Sequence, residues 1–240
     1  MRKIYIPFFA FLFFIGSCRN FGGKPVHGNG NITTETRNVS ETDRISAAGS
    51  YNIRLIQGPS FSVKVEADEN LMPYIITENR DGELKIHTKD KYSINTDHDI
   101  NITITLDKLS KLSIAGSSNV NGEGKFTSSN GLDLAIAGSG NIDINVNAPD
   151  VESTIAGTGD ISLTGETKNS EIHIAGVGNY DAQNLMSENV KVHIAGSGNA
   201  KVFAENLLDI DIAGSGDVYY KGKASVSQKI GGSGKIVKMD

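Results

Sequence analysis

The sequence has no tryptophan, one cysteine and five prolines among 240 residues. A single cysteine excludes an intrachain disulfide and any cysteine-rich zinc site. The few prolines, with no strict Gly-x-y period, exclude a collagen helix. Basic charge is in short supply too: 23 Lys and Arg against 28 Asp and Glu leave a formal charge of −5. That balance argues against nucleic acid as a partner. Aromatic residues make up 7% of the chain, apolar residues 38%, and the one long apolar run stands at the N-terminus. Glycine is what the chain has in excess. There are 27 of them, about 11% against a typical ~7%. Glycine is costly inside helices and cheap in turns, so a helical bundle is disfavoured.

Residues 1–18 read MRKIYIPFFAFLFFIGSC. Arg2 and Lys3 precede an apolar run from Ile4 to Ile15, too short for a comfortable membrane span and suited to a secretory signal. Ile15-Gly16-Ser17-Cys18 closes it. That tetrapeptide resembles the bacterial lipoprotein lipobox, which implies cleavage after residue 17 and acyl chains, palmitate among them, on Cys18. Several acyl chains on one residue give durable membrane anchoring. The expectation is a signal peptide over 1–17, then a lipidated flexible tether over 18–37, whose stretch RNFGGKPVHGNGN is rich in glycine. Arg19 stands where an inner-membrane retention Asp would be, which favours the outer membrane or cell surface.

The second half of the chain repeats one phrase. It reads Ile114-Ala-Gly-Ser-Ser-Asn119, Ile136-Ala-Gly-Ser-Gly-Asn141, Ile155-Ala-Gly-Thr-Gly-Asp160 and Ile174-Ala-Gly-Val-Gly-Asn179. It continues as Ile194-Ala-Gly-Ser-Gly-Asn199, Ile212-Ala-Gly-Ser-Gly-Asp217 and Ile230-Gly-Gly-Ser-Gly-Lys235. The leading isoleucines are spaced 22, 19, 19, 20, 18 and 18. A degenerate copy, Ala47-Ala-Gly-Ser-Tyr-Asn52, stands upstream. A fixed period near 19 predicts a solenoid whose units bury their faces on one another. Apolar and polar residues alternate before and after each glycine pair, the signature of strands with one buried face. The expected fold is therefore all-β, a right-handed parallel β-helix of 18–22-residue coils over 112–240. Stacked about 4.8 Å apart, seven coils make a rod about 30 Å long. Residues 38–111 are expected to form a strand-rich N-terminal part of the same head. It has strands at Glu83–Thr88 and 100–106, a hairpin turn at Asn79-Arg-Asp-Gly82 and a helical turn over Glu69–Met72.

The repeat also nominates its residues. Gly116, Gly138, Gly140, Gly157, Gly159, Gly176, Gly178, Gly196, Gly198, Gly214, Gly216, Gly232 and Gly234 are expected to turn the corners. Asn119, Asn141, Asp160, Asn179, Asn199 and Asp217 are expected to stack as a ladder joined by hydrogen bonds. Phosphate binding would need a helix after the glycines, and alternation follows instead. The corners resemble calcium-binding RTX repeats, but two carboxylates among seven positions make a poor calcium set. His173 and His193 hold equivalent places in adjacent coils and could share a metal. Alternation puts them on the outer face, so they are read as solvated, and neither metal nor cofactor is expected. Lys191, Asp209, Asp211, Glu171 and Glu188 are charged side chains in the same half. Without a recognisable catalytic motif they are read as surface charge, and no catalytic residue is assigned. Tyr180 takes the place of Val120, Ile142 and Ile161 and is expected in the core. Tyr219 and Tyr220 suit glycan or protein recognition and equally suit covering the corners, and the structural role is preferred. Gln228, Lys235 and Lys238 would protect an open end.

The ladder of GSGN-like turns, Gln57-Gly58 and Val65-Glu-Ala-Asp-Glu-Asn-Leu71 resemble the bacterial family called "putative autotransporter adhesin, head GIN domain", over residues 38–236. The resemblance implies a right-handed β-helix without established catalytic residues and a role in adhesion. The sequence thus points to a non-enzymatic, lipid-anchored envelope protein that binds glycans, envelope polymers or partner proteins. Two alternatives stay open: a structural envelope protein without a dedicated ligand, and a carbohydrate-active enzyme.

Overall fold

The alternation that leads into each Ile-Ala-Gly phrase becomes a strand, and the strands stack in register. In the computed structural model, which describes residues 23–240, Lys111–Gly116, Leu132–Gly138 and Leu207–Gly214 are such strands. Asn141–Gly157, Asp160–Gly176 and Asn179–Gly196 are longer and run from one corner to the next. The result is a nearly all-β solenoid of about six turns, about 20 residues apart. Signal peptide and Cys18 lie outside the described residues.

Each coil contributes to two parallel ladders. In the leading ladder, before the corner, Ile114, Ile136, Ile155, Ile174, Ile194, Ile212 and Ile230 stand one above another. In the trailing ladder, after the corner, the column is Val120, Ile142, Ile161, Tyr180, Ala200, Val218 and Ile236. Within a strand the alternation holds until the chain bends: Ile142, Ile144, Val146 and Ala148 are buried, then Val151, Ser153 and Ile155. Exposed Pro149 and Asp150 shift the phase by one residue, so the next strand faces the same core. Each fully buried Ile or Leu contributes about 1.5–3 kcal/mol. Tyr180 is 1% exposed. Its bulk is accommodated because Ala182 and Ala200 beside it are small and buried. Its hydroxyl lies 3.5 Å from Ser170 Oγ, and burial pushes the phenol above its ordinary value.

The N-terminal part departs from simple chain order. Arg44–Gly49 pairs with Lys111–Gly116 on one side and with Glu83–Thr88 on the other. Asn52–Gln57 is likewise flanked by Asn119–Thr127 and Asn101–Leu106. The degenerate copy at 47–52 is thus a true coil, sandwiched between one later in sequence and another later still. The intervening residues 58–106 leave, return beneath it, and close the end. Ser62–Asp68 runs antiparallel to Asn101–Leu106, and Ile75–Arg80 forms a hairpin with Glu83–Thr88. Asp81 and Gly82, at φ 58° and 73°, make the hairpin turn that two positive-φ residues favour. The 3-10 helix Glu69–Tyr74 joins the two antiparallel strands and buries Leu71 and Met72 in the core.

The flexible tether expected over 18–37 requires correction from residue 24 onward, residues 18–22 lying outside the described ones. Lys24–His27 pairs in parallel with Tyr92–Asn95, and Ile32–Arg37 pairs antiparallel with Val63–Asp68. The glycine-rich link between them is fixed by Asp68, whose carboxylate accepts hydrogen bonds from the backbone of Gly30 and from Thr96 Oγ1, the latter at 2.6 Å. Composition pointed to flexibility; a buried carboxylate and two strand partners distant in sequence supply order.

Candidate binding surfaces

At each corner the coils approach more closely than side chains permit. A Cβ on Gly138, where φ is 137°, would lie 2.3 Å from the carbonyl oxygen of Gly116. On Gly140 it would lie 2.1 Å from that of Ser118. Those carbonyls are already used, since Ser139 N donates to Gly116 O at 2.9 Å and Asn141 N to Ser118 O at 3.1 Å. The same contact recurs from Gly157 to Gly234. The repeated glycines therefore serve coil-to-coil contact, and the amides that follow them, such as Ser139 N and Asn141 N, are spent on it.

Outside the corner runs a column of amides and carboxylates. Asn141 donates to Asn119 at 2.8 Å, Asn179 to Asp160 at 2.9 Å and Asn199 to Asn179 at 3.2 Å. Where the column places Asp160 and Asp217, their carboxylates accept from the backbone of Asn179 and Lys235, at 2.8 and 2.9 Å. Sequence reasoning missed the column's lower members. Asn52 stands opposite both Asn119 and Asn101. The signal was present as Asn-Ile-x-Leu/Ile at 52–55 and 101–104, matching 141–144, but no glycine pair precedes 101.

Beyond these lower members the trailing ladder faces a groove of about 770 Å³. One row along it runs Thr34, Glu66, Asn101, Asn52, Asn119 and Asn141. The next runs Lys64, Thr103, Arg54, Asn121 and Asp143. Parallel and antiparallel strands both contribute, so the two rows exist only once the end has closed. Arg54 holds Glu123 in a two-pronged ion pair, with Nη2 donating to Oε2 at 2.8 Å. That contact raises the guanidinium pKa and lowers that of the carboxyl. Asn101 donates to Glu66 at 2.9 Å. The groove is a set of fixed donors and acceptors of both charges, suited to a polar ligand with many hydroxyl or amide groups.

Other nominated residues are placed as follows. His173 and His193 stack on the outer face of the leading ladder, ring centroids 5.0 Å apart. Glu171, Lys191 and Asp209 form the neighbouring column, and Asp211 continues the histidine column. Glu188 lies apart, on the bend lined by Lys168, Met186 and Phe203. Tyr219 and Tyr220 are half-buried, and Tyr219 donates to Asp217 at 3.4 Å. Gln228, Lys235 and Lys238 lie on the last coil, where Ser225–Gly232 is exposed throughout.

A solved structure of a putative lipid binding protein from Parabacteroides distasonis is 29% identical, with a TM-score of 0.75, covering 90% of this chain and all of that one. One of a putative adhesin from Bacteroides fragilis is 26% identical, with a TM-score of 0.83, covering 89% of this chain and all of that one. A putative adhesin from Parabacteroides merdae, at 21% identity and a TM-score of 0.63, shares the fold over 91% of this chain and all of its own. No curated protein matches. The family model described as "Putative auto-transporter adhesin, head GIN domain" matches residues 42–224, and the chain belongs to that family.

Proposed function

We propose that this chain is a lipid-anchored protein of the cell envelope whose solenoid head binds a polar ligand, without catalysis, in the groove on the trailing ladder. The observation that carries the reading is the groove itself. Arg54, Lys64, Asn121 and Asp143 project from strands locked by in-register pairing, so little backbone freedom is lost on binding. Glycans and envelope polymers are the ligand classes that match such rows of hydroxyl-binding groups. Family membership supports a binding role of the adhesin kind. The relative from Parabacteroides distasonis is named for lipid binding; here Ile, Leu and Val side chains fill the coil interior, so a lipid would be met on the outer faces through its polar headgroup.

The test is an array of glycans and envelope polymers probed with the soluble chain from Arg19 onward, a start that retains the strands at 24–37. A captured ligand should lose about tenfold or more in affinity when Arg54 and Asn121 are both changed to Ala. Capture that is undiminished by this pair, or no capture at all, sinks the assignment. Anchoring through Cys18 follows from the lipobox. Incorporation of a palmitate analogue should occur in the native chain and vanish in Cys18→Ala; incorporation that persists would place the lipid elsewhere.

A further inference from the structure

Outward-facing side chains on the leading ladder stack as regularly as the core does. Glu171 and His173 lie two residues apart on the strand Asp160–Gly176, so both face outward. His193, on the next coil, stands in register with His173. The imidazole rings are stacked 5.0 Å apart and tilted by only 9°. Glu171 curls back toward them, its Oε1 3.2 Å from His173 Nε2. One donor atom from each of the three residues lies within 4.8 Å of the others.

From this convergence we infer a surface site for a divalent transition metal of the zinc or copper class, held by Glu171, His173 and His193. Two imidazoles and one carboxylate are a known zinc donor set, and imidazole suits copper as well. Metal–ligand bonds of about 2.0–2.1 Å at a tetrahedral angle separate two donor atoms by about 3.3 Å. The Glu171–His173 edge already has that length. The remaining edges close by rotation of side chains that are free to turn, Glu171 and His173 being 44% and 41% exposed. On the flank of the histidines away from Glu171 there is room for the waters of a bound ion. A hollow of about 320 Å³ is floored by Ala175, Ala195 and Ala213 and edged by Thr154 and Asp211. Asp211 is next in register after His193 and is drawn toward Lys229, 3.7 Å away. It can supply a fourth oxygen if that exposed pair opens. The wider field favours a cation: residues 133–217 carry thirteen acidic and three basic side chains. The histidine pair alone would be a solvated stack. Glu171, whose distance from His193 in sequence hides it, completes the donor set.

The competing account is a simple ion pair between Glu171 and a charged imidazole. Calorimetric titration of the full, untagged chain in detergent, stripped with chelator, separates the two. Zinc should bind with a stoichiometry of one. His173→Ala and His193→Ala should each weaken it by about 100-fold or more, at or beyond the upper end of what loss of an outer-shell partner commonly costs. Glu171→Gln should weaken it less, since the amide oxygen remains. Copper(II) at the same site should show electron-spin resonance coupling to two nitrogens in the native chain and to one in either histidine variant. Near-ultraviolet dichroism of each variant should match the native chain, since all three residues lie outside the core. Zinc affinity unchanged in the double histidine variant, or no stoichiometric binding to the natively folded chain, overturns the site.

Discussion

The two ends of the solenoid are built on opposite plans. At one end the chain doubles back: antiparallel strands 62–68 and 75–80 flank the final coil, and Val63, Val65, Leu71 and Ile75 are all 0–1% exposed. At the other, among the described residues, Ser225–Gly232 pairs on one side only. There Val226 and Ile230, which continue the core columns, are 38% and 39% exposed. The bare coil is nevertheless unlike an aggregation template. Residues 221–240 hold Lys221, Lys223, Lys229, Lys235 and Lys238 against a single Asp240. Charge on an edge strand discourages pairing with another edge. A solenoid end must be either covered or made repulsive, and this molecule uses one device at each end. The covered end is also where chain crossings concentrate polar residues of different origin, and there the candidate groove lies.

The largest expected effect tests the middle against the bare end. Gly157→Val should prevent folding, because a Cβ there would sit 2.3 Å from the Gly138 carbonyl oxygen at a φ of 130°. Gly231→Ala, whose nearest neighbour would be 3.7 Å away, should shift the melting temperature little. Equal losses in a thermal melt would erase the distinction between packed and open coils.

A smaller effect tests the covered end. Thr96 and the Gly30 backbone, by hydrogen-bonding to the Asp68 carboxylate, and His98 nearby hold its pKa below the ordinary carboxylate value. A lowered folded pKa means this stabilisation is complete above the unfolded value and is lost as pH falls through the folded one. Exchange over 24–31, corrected for the intrinsic slowing of amide exchange in acid, should therefore quicken on acidification below about pH 4. Asp68→Asn should quicken it at neutral pH, while exchange in coils 151–196 stays slow. Exchange that rises equally in both places would show that the arm and the coils open together.

The smallest effect concerns the lysines. Changing Lys229, Lys235 and Lys238 together to Thr should leave the fold intact and produce concentration-dependent association in sedimentation. A strictly unaltered sedimentation profile would show that the edge is protected by something other than charge.

The repeat was legible because each coil must satisfy the same three demands: alternation for a buried face, glycine for a corner and a polar side chain beside it. Ile136-Ala-Gly-Ser-Gly-Asn141 states all three in six residues. The groove was less legible. Its Asn101 and Asn52 carry the Asn-Ile phrase without a full corner, and Lys64 and Glu66 join them from a strand running the other way. Glu171 was visible as a charge, but only parallel registry shows that it shares a site with His193. The arm at 24–37 was misread because local composition sets the intrinsic freedom of a segment and says nothing of a distant strand waiting to pair with it.

Sequence by itself determined the coil: its period, its core columns, its glycine corners and the amide ladder, since all follow from contacts between equivalent positions one repeat apart. Tertiary structure alone decided the order in which the first coils stack, the closure of one end and the meeting of unlike side chains across it. Those features depend on pairing between segments that share no repeat, for which the chain carries no local signal.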